Sequence, residues 1–120
     1  MSKRALIVGS SMHTREYASM LATLGVQVST YGNFREALGG IRETHPGVIA
    51  IILSNYDGEI SSFVEAVRAQ PESRSTPIVY IGGPVEGGGQ TLLRSKGVKT
   101  LTLGPVQTDE MARFIAKQIY

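Results

Sequence analysis

Short apolar runs and amphipathic stretches alternate along this chain from one end to the other. Six successive apolar residues, Val48 to Leu53 (VIAIIL), stand between His45-Pro46-Gly47 and Ser54-Asn55-Tyr56-Asp57-Gly58. A short run rich in β-branched residues, with turn signals at both ends, reads as a strand buried on both faces. Ala5 to Val8 (ALIV) is a second such run, closed by Gly9-Ser10-Ser11. Pro77 to Ile81 (PIVYI) is a third, closed by Gly82-Gly83-Pro84, and proline is tolerated at a strand's first position. Gln27 to Tyr31 (QVSTY) and Lys99 to Leu103 (KTLTL) instead alternate polar and apolar positions, as expected of strands at the edges of a sheet.

Between these strands the period changes to that of a helix. Tyr17, Met20, Leu21 and Leu24 fall at i, i+3, i+4 and i+7, on a helix that ends before Gly25. Asn33 predicts the cap of a second helix with Phe34, Ala37, Leu38 and Ile41 on one face. Gly39-Gly40 weakens that helix by about 1 kcal/mol per glycine relative to alanine. Ile60, Phe63, Val64 and Val67 mark a third helix. Gly87-Gly88-Gly89 confines the fourth to Gln90–Lys96. Thr108 is the expected N-cap of the last, with Asp109 and Glu110 in its first turn and Met111, Phe114, Ile115 and Ile119 on its buried face. Five strand–helix units demand parallel strands joined by right-handed crossovers. Apolar strands at the centre and alternating ones at the edges give a flavodoxin-like α/β sheet of order 2-1-3-4-5, with helices on both faces. Residues 1–120 are expected to form one domain.

Composition narrows the function classes. The 42% apolar and 18% charged residues describe a globular protein, and the formal charge of +2 leaves no basic footprint for nucleic acid. Cysteine is absent, which excludes thiol chemistry and disulfides and fits a reducing compartment. The start, MSKRALIVGSS, is too short in apolar residues for a signal peptide or a membrane span, so the expected location is cytoplasmic. His13 lies near Ser10 and Ser11, but a Ser–His hydrolase needs geometry and an orienting carboxylate, and the strained G-x-S-x-G turn is absent, so a surface or helix-start histidine is the expected reading. His13 and His45 are too isolated to suggest a metal site. No dinucleotide or P-loop spacing occurs. No cofactor and no enzymatic activity are expected.

In order and spacing, the chain resembles the receiver domains of bacterial response regulators, the chemotaxis-type phosphoacceptor module of two-component signalling. The likeness rests on ALIVGSS at the first strand, HPGVIAIIL at the third, FVEAVRAQ in the third helix, TPIVYIGG at the fourth strand and KGVKTLTLGPV at the fifth. Receivers carry two acidic Mg²⁺-binding residues after the first strand; a gap-free match places Gly9 and Ser10 there. The phosphoacceptor aspartate matches Ile52, the switch Ser or Thr matches Gly82, the lysine before Pro105 matches Gly104, and the aromatic switch position matches Leu101. The resemblance therefore implies a degenerate pseudo-receiver. Magnesium needs hard oxygen ligands including a carboxylate, and an aspartyl phosphate needs its charge offset. Gly9, Ser10 and Ile52 supply no carboxylate. Asp57-Gly58 reads as a turn, although a shifted register would bring Asp57 nearer the site as an atypical phosphoacceptor.

The expected function is phosphorylation-independent recognition of a signalling partner or effector domain, or of a second copy of the chain in a homodimer. The resemblance implies a contact face made by the fourth helix, fifth strand and fifth helix, for which Leu92, Leu93, Leu101, Arg113 and Lys117 are candidates. An alternative is a sensor of small anionic ligands at the glycine-rich end of the sheet, lined by Ser10, Ser11, Ser54 and Asn55, since switch-point crevices and helix N-termini attract such ligands. The resemblance also implies a cis peptide at Gly104-Pro105, the bond type where cis is inexpensive.

Overall fold

The computed structural model describes residues 3–9, 13–53, 59–82, 89–102 and 108–119. The strands are β1 (Arg4–Val8), β2 (Gln27–Tyr31), β3 (Val48–Leu53), β4 (Ile78–Gly82) and β5 (Val98–Thr102). The helices are α1 (His13–Thr23), α2 (Phe34–Thr44), α3 (Glu59–Ala69), α4 (Gly89–Ser95) and α5 (Thr108–Lys117), with a 3₁₀ turn at Pro71–Ser73. All neighbouring strands are parallel, in the order β2-β1-β3-β4-β5. This is the flavodoxin-like arrangement that the alternation of periods predicts.

Because side chains alternate along a strand, the sheet divides the core into two clusters. Ala5, Ile7, Val48, Ala50, Ile52, Val79 and Ile81 face α1 and α5, where Tyr17, Leu21, Ala112, Ile115 and Ala116 complete one cluster. Leu6, Val8, Ile49, Ile51, Ile78, Tyr80 and Val98 face the other way, against Ala37 and Ile41 of α2, Ile60, Phe63, Val64 and Val67 of α3, and Leu93 of α4. Every residue of β3 from Val48 to Ile52 is buried, whereas β2 at the edge is nowhere fully buried.

Local chemistry explains the helix boundaries. Asn33 caps α2 through its side-chain oxygen, which accepts from the Glu36 amide at 2.9 Å. His45 ends α2 in the left-handed region at φ 48° and donates its amide to the Ile41 carbonyl. Gly40 leaves room for the Tyr31 ring, which occupies the space that a Cβ there would need. The boundaries depart from the sequence reading in small ways. β4 and β5 are shifted by one residue from expectation, to Ile78–Gly82 and Val98–Thr102. Thr108 is the first residue of α5 instead of preceding it. Leu24 lies beyond the last residue of α1 and is 40% exposed, because the chain there has already turned towards Gly25. Ile119 likewise follows α5 and is half-buried against the first cluster.

Candidate functional site

In an open parallel sheet, chemistry concentrates where the strands end, because the crossovers leave a crevice outside their carboxyl ends. The register brings three of the candidate positions to that end. Val8 pairs with Ile51, so Gly9 lies beside Ile52, and Leu53 pairs with Gly82. Gly9, Ile52 and Gly82 therefore occupy neighbouring places on β1, β3 and β4.

Each of the three is enclosed. Ile52 is 0% exposed, and its side chain belongs to the apolar cluster under α1 and α5. Gly9 is buried and donates its amide to the Tyr31 carbonyl at 2.9 Å, prolonging the β1–β2 ladder by one step. A Cβ at Gly9 would collide with the carbonyl oxygen of Ile52 and stand 3.0 Å from its carbonyl carbon. At Gly82 a Cβ would collide with the Leu53 carbonyl oxygen and meet the Tyr80 Oη at 2.6 Å. Both glycines thus allow the β1 and β4 backbones to close on the end of β3, a close approach that a side chain forbids. Tyr80 escaped the sequence reading. It is buried, and it sits two residues before Gly82, on the same face of β4. That period of two was the available signal.

Ser10, Ser11, Ser54, Asn55, Asp57 and Gly104 lie outside the described residues, as does the Gly104–Pro105 bond. Among the described residues, no group of three or more His, Cys, Asp or Glu side chains is gathered in a way that could hold a metal ion. No helix among them is long and apolar enough to cross a membrane.

The candidate contact face is partly corrected. Arg113 and Lys117 are exposed on α5. Leu93 is not available for contact: it is fully buried, where it anchors α4 among the α3 side chains of the second cluster. A helix this short is held by tertiary packing, not by its own propensity. Leu92 and Leu101 lie on α4 and β5. Between β5 and α5, Lys99 donates from Nζ to the Gln118 Oε1 at 2.7 Å and stands 5.8 Å from the centre of the Phe114 ring.

Behind this face lies a polar cluster that the sequence did not reveal. Arg68, near the end of α3, donates from Nε to the Lys96 carbonyl at 3.2 Å. Its Nη1 donates to the carbonyls of Ser73, Arg74 and Thr76 at 3.3, 3.1 and 2.6 Å. Burial pushes the guanidinium below its ordinary pKa, because partial desolvation disfavours the charged form.

No family model matches the chain, and no curated protein matches it. Solved structures do. The chemotaxis protein CheY4 of Vibrio cholerae is 22% identical, with a TM-score of 0.81, and the match covers 98% of each chain. An orphan response regulator of H. pylori is 11% identical with a TM-score of 0.82, covering 98% of this chain and 96% of that one. The receiver domain of a sensor histidine kinase from Pseudomonas aeruginosa, whose structure holds a magnesium ion in its active-site cleft, is 21% identical with a TM-score of 0.77, covering 99% and 98%. With its five parallel strands in the order β2-β1-β3-β4-β5 and helices on both faces, the chain has the fold of CheY-like response-regulator receiver domains.

Proposed function

We propose that this chain is a receiver-like module of signal transduction that works without phosphorylation, by binding a partner protein. The observation that carries the reading is Ile52. At the position matched to the phosphoacceptor stands a fully buried isoleucine, packed into the cluster beneath α1 and α5. A side chain there has neither a carboxylate to receive a phosphoryl group nor exposure to one. Gly9, matched to the first acidic magnesium ligand, supports the same reading, since it offers only backbone against the Ile52 carbonyl. Phosphoryl transfer relies on electrostatic stabilisation of developing charge, and these positions contribute none from their side chains. In this reading the module is non-enzymatic, and the absence of cysteine from its sequence fits work in the reducing cytoplasm.

Its partner is a signalling protein or effector domain, or a second copy of the chain. The face formed by α4, β5 and α5 carries the contact, with Arg113 and Lys117 as its exposed cations. Such rim charges govern association rate and salt dependence more than affinity.

The test is a two-dimensional amide NMR spectrum recorded with and without Mg²⁺ plus beryllofluoride. Unchanged resonances for Gly9, Ile52, Leu53 and Gly82 are expected. Saturable shifts at these positions would establish a working phosphoryl site and end the proposal.

A further inference from the structure

Helix α4 is seven residues long, too short to be stable on its own propensity, so its place depends on what holds it from outside. Leu93 supplies the apolar anchor. At its C-terminal end the chain turns through Gly97, at φ 77°, with the Lys96 amide donating to the Leu93 carbonyl at 3.1 Å and the Gly97 amide to the Arg94 carbonyl at 3.0 Å. This left-handed ending leaves the Lys96 carbonyl free to accept a bond from elsewhere. Arg68 of α3 provides it.

The same guanidinium gathers the connection between α3 and β4. Its Nη1 faces the Ser73, Arg74 and Thr76 carbonyls. The Ser73 hydroxyl, buried, closes that connection internally by donating to the Val67 carbonyl at 2.6 Å. The planar fork serves the two backbone segments from two separate nitrogens, Nε and Nη1, whereas a lysine's ammonium would have to reach both from a single point. Among the described residues the guanidinium is met by main-chain carbonyl dipoles and by no carboxylate, which fixes geometry more tightly than an exposed ion pair would. The ion pair between Lys96 and Glu65, 3.0 Å long with the glutamate side chain 63% exposed, adds little by comparison.

We propose that Arg68 is the latch that sets the position of α4, joining the α4–β5 turn to the α3–β4 connection at the end of the sheet opposite Gly9 and Gly82. The two segments then move as one unit. A perturbation at residues 73–76 reaches α4 through this guanidinium, without passing through the carboxyl ends of the strands. The consequence for partner contact rests on the function proposed above, whereas the latch itself is read on the isolated protein.

Hydrogen exchange of single amides tests it. In Arg68→Gln, the Lys96 and Gly97 amides and the Ser73 and Thr76 amides accelerate together by tenfold or more, while the Gly9 and Gln27 amides, which lie in the β1–β2 region, keep their wild-type rates. Glu65→Gln, which removes only the surface ion pair, leaves all six within twofold. In the milder Arg68→Lys, the loop amides and the turn amides accelerate too, but less than in Arg68→Gln, because a point ammonium reaches the two segments less well than the fork does. The proposal is overturned if Lys96 and Gly97 keep wild-type rates in Arg68→Gln, or if all six amides accelerate alike. Should Arg68→Gln not fold, wild-type rates throughout Arg68→Lys overturn it equally. These outcomes are independent of beryllofluoride binding, so the latch and the proposed function fail separately.

Discussion

Replacing Gly9 by alanine adds a single methyl group at the end of β1. That Cβ would fall closer than 3.0 Å to the Ile52 carbonyl oxygen, a separation real Cβ atoms do not show, and the obstacle is backbone rather than a side chain that can swing aside. Overpacking of this kind costs about 1–3 kcal/mol, and the stiffer unfolded chain of the alanine variant offsets about 0.4–1 kcal/mol. A net loss of about 1–2 kcal/mol remains. For 120 residues, an unfolding entropy of about 2.1 cal/mol/K per residue converts this into a fall in Tm of about 4–8 °C. Gly39→Ala is the matched control. Gly39 lies exposed inside α2, with nothing within 4 Å of an added Cβ, so alanine should stabilise by about 0.5–1 kcal/mol and raise Tm by about 2–4 °C. Thermal unfolding followed by circular dichroism reads both variants. If Gly9→Ala raised Tm as Gly39→Ala does, β1 and β3 would not close on each other as described.

Ile52→Asp, which places the family's carboxylate in a dry apolar cluster, should destabilise the fold by about 3–5 kcal/mol, with no recovery on adding Mg²⁺; denaturant titration with and without the ion measures it, and a Mg²⁺-dependent gain would contradict the enclosed edge. Ser73→Ala removes the buried donor to Val67 and should cost about 1–3 kcal/mol; an unchanged urea midpoint would show that the Val67 carbonyl finds another partner. Burial, and secondarily the adjacent Glu16, push the Tyr17 phenol above its ordinary value of 10.0. The native state then holds this proton longer than the unfolded chain does, so the associated stability is complete below pH 10 and is lost as pH rises through the native pKa. Tyr17→Phe should therefore lose less stability than wild type above pH 10, and parallel Tm–pH curves would refute that assignment.

The sequence carried the sheet because strand burial and strand pattern share a cause. Val48 to Ile52 is apolar throughout because both of its faces are covered, and Gln27–Tyr31 alternates because one side of that strand has no neighbour. Helix ends were less legible. Leu24 fits the stripe of α1 but falls past Thr23, since period alone does not say where a helix stops. Leu93 illustrates a different limit: on a two-turn helix, periodicity does not separate the residue that anchors from those beside it. At the carboxyl edge, Gly9, Ile52 and Gly82 could be brought together by counting along strands. The period of two puts Tyr80 on the face of Gly82, but its hydroxyl's place where a Cβ would stand required the coordinates, and so did the Arg68 cluster. Its acceptors among the described residues are main-chain carbonyls, which every residue possesses and no sequence pattern marks.

The packing of α5 against the cluster beneath α1 also bears on how the molecule is made. Ala112, Ile115 and Ala116, from the last helix, cover Ala5, Ile7 and Ile52 together with Tyr17 and Leu21 of the first. A chain emerging from the ribosome proceeds from its N-terminus, so β1, β2 and β3 can pair long before α5 has left the exit tunnel. Throughout that interval one whole face of the sheet is without half of its cover. Sealing it requires contacts between residues about a hundred positions apart, the kind of non-local closure that slows folding. The vulnerable interval therefore lasts until α5 emerges, while the surface that will bury Ile52 is still open to water and to neighbouring chains.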